Sequence, residues 1–128
     1  MAFRFSSGSK SRLSTVHPAL QKVVNKALAL SEVDFAVIEG IRPPSRQRQL
    51  VEAGASKTLK SKHLTGRAVD LAPVIGGRIS WDWPPFHKIA AAMKAASAEL
   101  GIPIVWGGDW RTFKDGPHFE LTSATPDA

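Results

Sequence analysis

Three residues with metal-ligand chemistry stand from the middle of the chain onward: His63 and Asp70, seven positions apart, and His118 near the C-terminus. Catalytic zinc takes three protein ligands from histidine and carboxylate and keeps a fourth position for water, which it acidifies to a pKa of about 7. His63, Asp70 and His118 could supply such a set. The first two lie in Ser61-Lys62-His63-Leu64-Thr65-Gly66-Arg67-Ala68-Val69-Asp70, where Gly66 allows the sharp bend that would let a loop ligand and a strand ligand converge. Asp115 precedes His118 by three residues, with Gly116-Pro117 between them. A tight turn there could hold a carboxylate beside a metal site without making it a ligand, which is the place of a catalytic base.

Other residues near these segments have two readings each. Asp109, in Trp106-Gly107-Gly108-Asp109-Trp110, rivals Asp115 as base, and its bland role is to tie the loop to backbone amides. Trp110 could face substrate or simply pack. Ser61 could hydrogen-bond substrate or a ligand, or serve a loop turn. Glu120 alternates with Phe119 on a short strand and could orient a ligand, or stand exposed. His17 and His87 have no carboxylate at a useful spacing and read as structural.

The elements that must position these groups follow from periodicity. Val16, Leu20, Val23, Val24, Ala27 and Leu28 have helical spacing with Pro18 in the first turn. Val33 to Ile38 predicts a strand closed by Gly40 and Pro43-Pro44, which puts Arg42 just past its end. Ser45 to Glu52 predicts a short helix, and Ala55 to Thr65 a loop. Ala68 to Ala72 reads as a strand, with Gly76-Gly77 as a hairpin turn. A longer helix opens at Pro84-Pro85 and ends near Gly101, followed by strands at Ile104 to Trp106 and His118 to Leu121. Helices and strands mix without a βαβ rhythm, so the expectation is an α+β fold in one compact domain, a small antiparallel sheet packed by helices. The domain spans 1–128, with 1–14 as an N-terminal arm and 122–128 as a tail.

Composition narrows the classes. There is no cysteine, which removes disulfides, thiolate zinc sites and a cysteine nucleophile together. No apolar run approaches the ~18 residues of a membrane span, and the opening residues lack the core of a secretory signal, so the expectation is synthesis in a cytoplasm without a signal peptide. Lys and Arg outnumber Asp and Glu by 17 to 11, for a net charge of +6, which favours an anionic partner. The basic residues come in short groups without aromatic interleaving or a nucleic-acid motif, so anionic cell envelope is expected rather than nucleic acid. A monomer is expected.

The segments around His63 and His118 resemble the signatures of peptidase family M15, the VanY-like zinc peptidases: D-alanyl-D-alanine carboxypeptidases, vancomycin-resistance dipeptidases and phage L-alanyl-D-glutamate endopeptidases. The likeness begins near Val16-His17-Pro18 and runs through Val37-Ile38-Glu39-Gly40-Ile41-Arg42 and Gln47 to His118-Phe119-Glu120-Leu121. It implies a fold like that of hedgehog and D-alanyl-D-alanine peptidase domains, one Zn2+ ion on His63, Asp70 and His118, Asp115 as base, and Arg42 as the cation that steadies an oxyanion. Carboxypeptidases and dipeptidases of the family usually have Glu at the base position. Asp115-Gly116-Pro117-His118 after Trp106-Gly107-Gly108-Asp109-Trp110 is closer to the phage endolysin branch. That branch implies cleavage between L-alanine and D-glutamate of the peptidoglycan stem peptide, for host lysis. It also implies action on the wall in the periplasm, after release through a separately made membrane lesion. A D-alanyl-D-alanine carboxypeptidase or dipeptidase is the alternative within the family, and a non-catalytic zinc-containing binding module the alternative outside enzymes, against which Asp115 speaks.

Overall fold

The computed structural model describes residues 3–56 and 61–127. Its elements run α1 (Ser7–Leu13), α2 (Pro18–Leu30), β1 (Asp34–Glu39), α3 (Pro44–Glu52), β2 (Ala68–Ile75), β3 (Arg78–Ile79), α4 (Trp83–Leu100), β4 (Ile104–Trp106) and β5 (His118–Leu121). The fold is α+β. The sheet order is β1-β2-β5-β4, all pairings antiparallel, with β3 folded back on β2 through the Gly76-Gly77 turn.

One face of this sheet is apolar because alternate residues of its strands are. Val69, Leu71, Phe119 and Leu121 are fully buried, as are Leu20, Val23, Val24 and Ala27 of α2 and Ile89, Met93 and Ala96 of α4. These side chains form one continuous core, and α2 and α4 pack on each other over it. The strand period of two turns the intervening residues to the opposite face. Asp70 is therefore set between Val69 and Leu71, and His118 and Glu120 on either side of Phe119, away from the helices.

The N-terminal segment departs from the expected arm. Ser7–Leu13 is a helix, with the Ser6 side chain accepting from the Ser9 amide at its start. It lies along β1, an edge strand of the sheet. Ser9 Oγ accepts from the Val37 amide at 3.1 Å, and Arg12 Nη1 donates to the Val37 carbonyl at 3.2 Å. Edge strands leave such backbone groups open, and here α1 takes them. Nothing in the apolar spacing announces it, since only Ser9 and Leu13 of the helix are buried.

Of the expected loop from Ala55 to Thr65, Lys62–Thr65 forms a 3-10 turn, and 57–60 lie outside the described residues. β2 extends to Ile75, three residues beyond the expected strand. Among the described residues, no helix is long and apolar enough to cross a membrane.

Candidate metal centre

Sheet register brings two of the chemical residues face to face. Asp70 on β2 and His118 on β5 are directly paired, and Glu39 at the end of β1 pairs with Asp70 from the other side. His63 arrives from the 3-10 turn that precedes β2. Ser61 Oγ accepts from the His63 amide at 3.2 Å to start that turn, and Gly66 ends it in the left-handed conformation, φ 73°, which glycine adopts without steric cost.

The donor atoms converge. His63 Nε2 lies 3.1 Å from Asp70 Oδ1, and His118 Nδ1 lies 3.7 Å from the same oxygen. One ligand atom from each of the three residues lies within 4.8 Å of the others. A tetrahedral ion with bonds of ~2.0–2.1 Å separates its ligands by about 3.3 Å, and the two distances to Asp70 Oδ1, 3.1 and 3.7 Å, lie on either side of that value.

The outer nitrogens of both rings are already committed. His63 Nδ1–H donates to the Gly40 carbonyl at 3.0 Å, leaving Nε2 for the centre, and His118 Nε2–H donates to Glu120 Oε1 at 2.7 Å, leaving Nδ1. Such partners fix which nitrogen is free and how the ring is turned. Glu120 is held in turn by Lys62, whose ammonium lies 2.8 Å from Oε2 and also donates to the Leu121 carbonyl. The residues present thus fit a divalent ion in ligand type, spacing and orientation.

Charge in the centre is tightly organised. Burial alone would raise the Asp70 carboxyl, but hydrogen bonds from His118 and His63, and their charge, hold it well below the carboxylate range. Burial works against a charged His118 too. Its bonds to Asp70 and Glu120 outweigh that and push it up to about 9. Asp115 goes the other way: burial first, then the negative charge of Asp70, raises it above its ordinary value, against the pull of His118, His63 and Arg42.

These groups line a cleft of about 560 Å3, together with Trp110, Phe113, Arg42, Ser61 and Lys62. Asp115 enters on the turn before β5. Its amide donates to the Gly107 carbonyl at 3.0 Å, the Trp106 indole donates to the Gly116 carbonyl at 2.7 Å, and the Leu71 amide donates to Pro117 at 2.9 Å. The turn that carries the carboxylate is thereby tied on both sides, to β2 and to the end of β4. Trp110 lies against the His118 ring, centroids 5.0 Å apart.

Arg42 is a buried part of the cleft lining, with Nε on Glu39, Nη1 donating to Gln47 Oε1 at 2.6 Å, and Nη2 3.7 Å from Asp70 Oδ2. Gln47 is buried as its support and also donates to Ser56 Oγ. Asp109, the rival base, sits apart. It is half exposed, outside the cleft lining, and 2.8 Å from Lys94. His17 caps α2, accepting from the Ala19 amide, and reaches the Pro126 carbonyl, while His87 packs on Trp106.

Sequence reasoning missed Glu39, Lys62, Phe113 and the Gly40 carbonyl. Glu39 sits three residues before Arg42, a pairing distance; the others leave no local signal.

A small antiparallel sheet that presents two imidazoles and a carboxylate to an open cleft, with a second, half-buried carboxylate in the same lining, has the groups of a metal-dependent hydrolase. Residues 1–122 match the family described as phage L-alanyl-D-glutamate peptidase, and the chain belongs to that family. It is 41% identical over 131 residues to the L-alanyl-D-glutamate peptidase of Escherichia phage T5, covering 99% of this chain and 95% of that one. To the peptidoglycan L-alanyl-D-glutamate endopeptidase CwlK of Bacillus subtilis it is 29% identical over 124 residues, 84% of this chain and 74% of the relative. The crystal structure of the Serratia marcescens L-Ala D-Glu endopeptidase ChiX matches with a TM-score of 0.89 and 49% identity, over 94% of this chain and 91% of that one.

Proposed function

We propose that the chain is a zinc peptidase that hydrolyses the L-alanyl-D-glutamate bond of peptidoglycan stem peptides, as the lytic enzyme of a phage. One observation carries the reading. His63, Asp70 and His118 bring their ligand atoms within 4.8 Å of one another in an open cleft that Asp115 also lines. The family membership supports the choice of bond, and the names of the relatives fit it.

His63 Nε2, one Asp70 oxygen and His118 Nδ1 would hold the ion. When bound, zinc supplies a Lewis acid able to bring the pKa of water to about 7. Asp115 accepts the proton of the attacking water and returns it to the departing amine of D-glutamate. Its placement suits both transfers, because burial beside Asp70 keeps its proton affinity above that of a free carboxylate. Arg42 keeps one guanidinium nitrogen toward Asp70 and the cleft, so it offers N–H donors to the carbonyl oxygen as negative charge develops. Glu39 and Gln47 hold that guanidinium still, so little reorganisation accompanies the reaction. Trp110 covers the His118 ring and limits the access of bulk water to it.

The enzyme is made in the host cytoplasm and acts on the wall in the periplasm after release, as a monomer whose positive charge draws it to anionic envelope polymers. Mass spectrometry of digested sacculi tests the bond. New C-terminal L-alanine and N-terminal D-glutamate are expected, with activity lost to a chelator and restored by zinc. New termini at D-alanine would replace this reading with a carboxypeptidase.

A further inference from the structure

Gly40 C=O and Ile41 N–H are the two ends of one peptide group, and each end is held by a different part of the chain. The carbonyl accepts from His63 Nδ1–H at 3.0 Å. The amide donates to Thr15 Oγ1 at 2.8 Å, and the same hydroxyl donates to the Arg12 carbonyl at 2.6 Å. Thr15 belongs to the short junction between α1 and α2, far from His63 in sequence.

Close approach reinforces these bonds. Gly40 is buried, and a Cβ built on it would overlap the Arg12 carbonyl oxygen and Thr15 Oγ1. The peptide is therefore seated against the junction with no room for a side chain. A second contact comes from the next residues of the junction: the His17 amide donates to the Gly66 carbonyl at 2.8 Å, at the far end of the turn that holds His63. The Arg42 amide in turn donates to the His63 carbonyl at 2.8 Å.

We infer that Thr15 is a positioning residue for the metal centre: by fixing the Gly40–Ile41 peptide plane it aims the carbonyl that sets the rotation of the His63 ring and commits Nδ1 as the protonated nitrogen. The α1–α2 junction is thus part of the metal site, although none of its residues lines the cleft. An acceptor that orients the far nitrogen of a ligating histidine typically changes metal affinity by 10–100-fold when lost. Thr15 acts one bond further out, at an exposed hydrogen bond, so the lower end of that range applies.

Thr15→Val keeps the shape and removes the hydroxyl, whereas Thr15→Ser keeps it. Two measurements separate the idea from a general loss of stability and from the reading of His63 as a ligand, on which the metal measurement rests. In zinc competition against a chromophoric chelator, Thr15→Val is expected to bind about ten-fold more weakly than the parent and Thr15→Ser nearly as tightly. Gly40→Ala, which must displace the same peptide, is expected to be weaker still. In the metal-free protein, NMR is expected to show a slowly exchanging His63 Nδ1–H in the parent and in Thr15→Ser that exchanges away in Thr15→Val.

Equal zinc affinity and an unchanged Nδ1–H in Thr15→Val would overturn the role of Thr15. A parent protein that binds no zinc would overturn the metal reading instead, and the metal-free proton would still decide on Thr15.

Discussion

His118 and Glu120, two residues apart on β5, face the same side of the sheet and are joined by a 2.7 Å bond from Nε2 to Oε1. The bond turns the ring so that Nδ1, not Nε2, looks toward Asp70. Lys62 neutralises Glu120 from behind and keeps it from swinging into the centre. Glu120→Ala should therefore weaken zinc binding by about 10–100-fold, and Glu120→Gln, which keeps an acceptor without the charge, should fall between it and the parent. Chelator competition measures this, and equal affinity in all three proteins would remove Glu120 from the site.

Proton uptake and metal uptake compete at His118. In the metal-free protein its pKa is pushed up to about 9 from 6.5, so at neutral pH the ring is protonated and must release that proton before Nδ1 can bind an ion. Around neutral pH about one proton should leave per ion bound at this residue, falling to about half a proton near pH 9, and apparent affinity should rise until about pH 9 and then level. The stability of the metal-free form has the opposite slope. A raised histidine pKa contributes stability that is complete below 6.5 and is lost as pH rises through 9. Calorimetry in two buffers of different ionisation enthalpy counts the protons, and a count of zero at pH 7.5 would contradict the charge assigned to His118.

The centre was legible in the sequence to the extent that strand alternation and short loops connect its parts. Ser61 through Asp70 forms one turn and one strand, so the spacing of His63 and Asp70 translates directly into a shared site. The apolar partners Val69, Leu71, Phe119 and Leu121 mark which face Asp70 and His118 must avoid. What stayed hidden depends on contacts between distant segments. α1 exists because Ser9 and Arg12 satisfy the backbone of Val37, which no periodicity can reveal. The partner of His63 is a backbone carbonyl, and carbonyls are present at every residue. In the sequence Asp115 ranked ahead of Asp109 as base, on its turn before His118 and on the family resemblance. The turn geometry and the Lys94 ion pair add to that order, with Asp115 lining the cleft and Asp109 outside its lining.

Removing the carboxylate at Asp115 should separate binding from chemistry. Asp115→Asn is near in shape, cannot take the proton of water, and alters none of the three ligands. It should retain zinc at parent affinity or better while kcat on a stem-peptide substrate falls by about 10²–10⁴. His63→Ala should lose both metal and turnover. A metal-loaded Asp115→Asn protein that cleaved at near parent rate would transfer the base to another group.

Electrostatic attraction to the wall should be visible in salt. With a net charge of +6, the protein gains encounter rate with an anionic polymer at low ionic strength, and the Debye length of about 10 Å at 0.1 M limits that gain. Lysis of sacculi should slow as salt is raised, whereas cleavage of a short soluble stem peptide should change far less. An equal response of the two substrates would point to an effect inside the cleft rather than on approach.

Phe86 links the core to the turn that carries Asp115, the proposed base. It is buried at the start of α4, packs against Trp81 and Trp83, and lies so close to Gly116 that a Cβ there would be 3.4 Å from its ring. Gly116 follows Asp115, and its carbonyl is held by the Trp106 indole on the other side. Truncating Phe86 removes one wall of the pocket that seats this turn. Phe86→Ala should cost about 3–5 kcal/mol of stability, and Phe86→Leu less, because a leucine refills part of the volume. A looser turn lets Asp115 sample positions out of reach of the attacking water, and small displacements of a catalytic group reduce turnover steeply. The folded Phe86→Leu protein should therefore lose kcat while keeping KM and zinc affinity, since none of the ligands rests on Phe86. Loss of zinc affinity in step with stability would mean instead that the turn and the metal centre relax together, and that the packing of α4 supports the whole sheet face rather than the base alone.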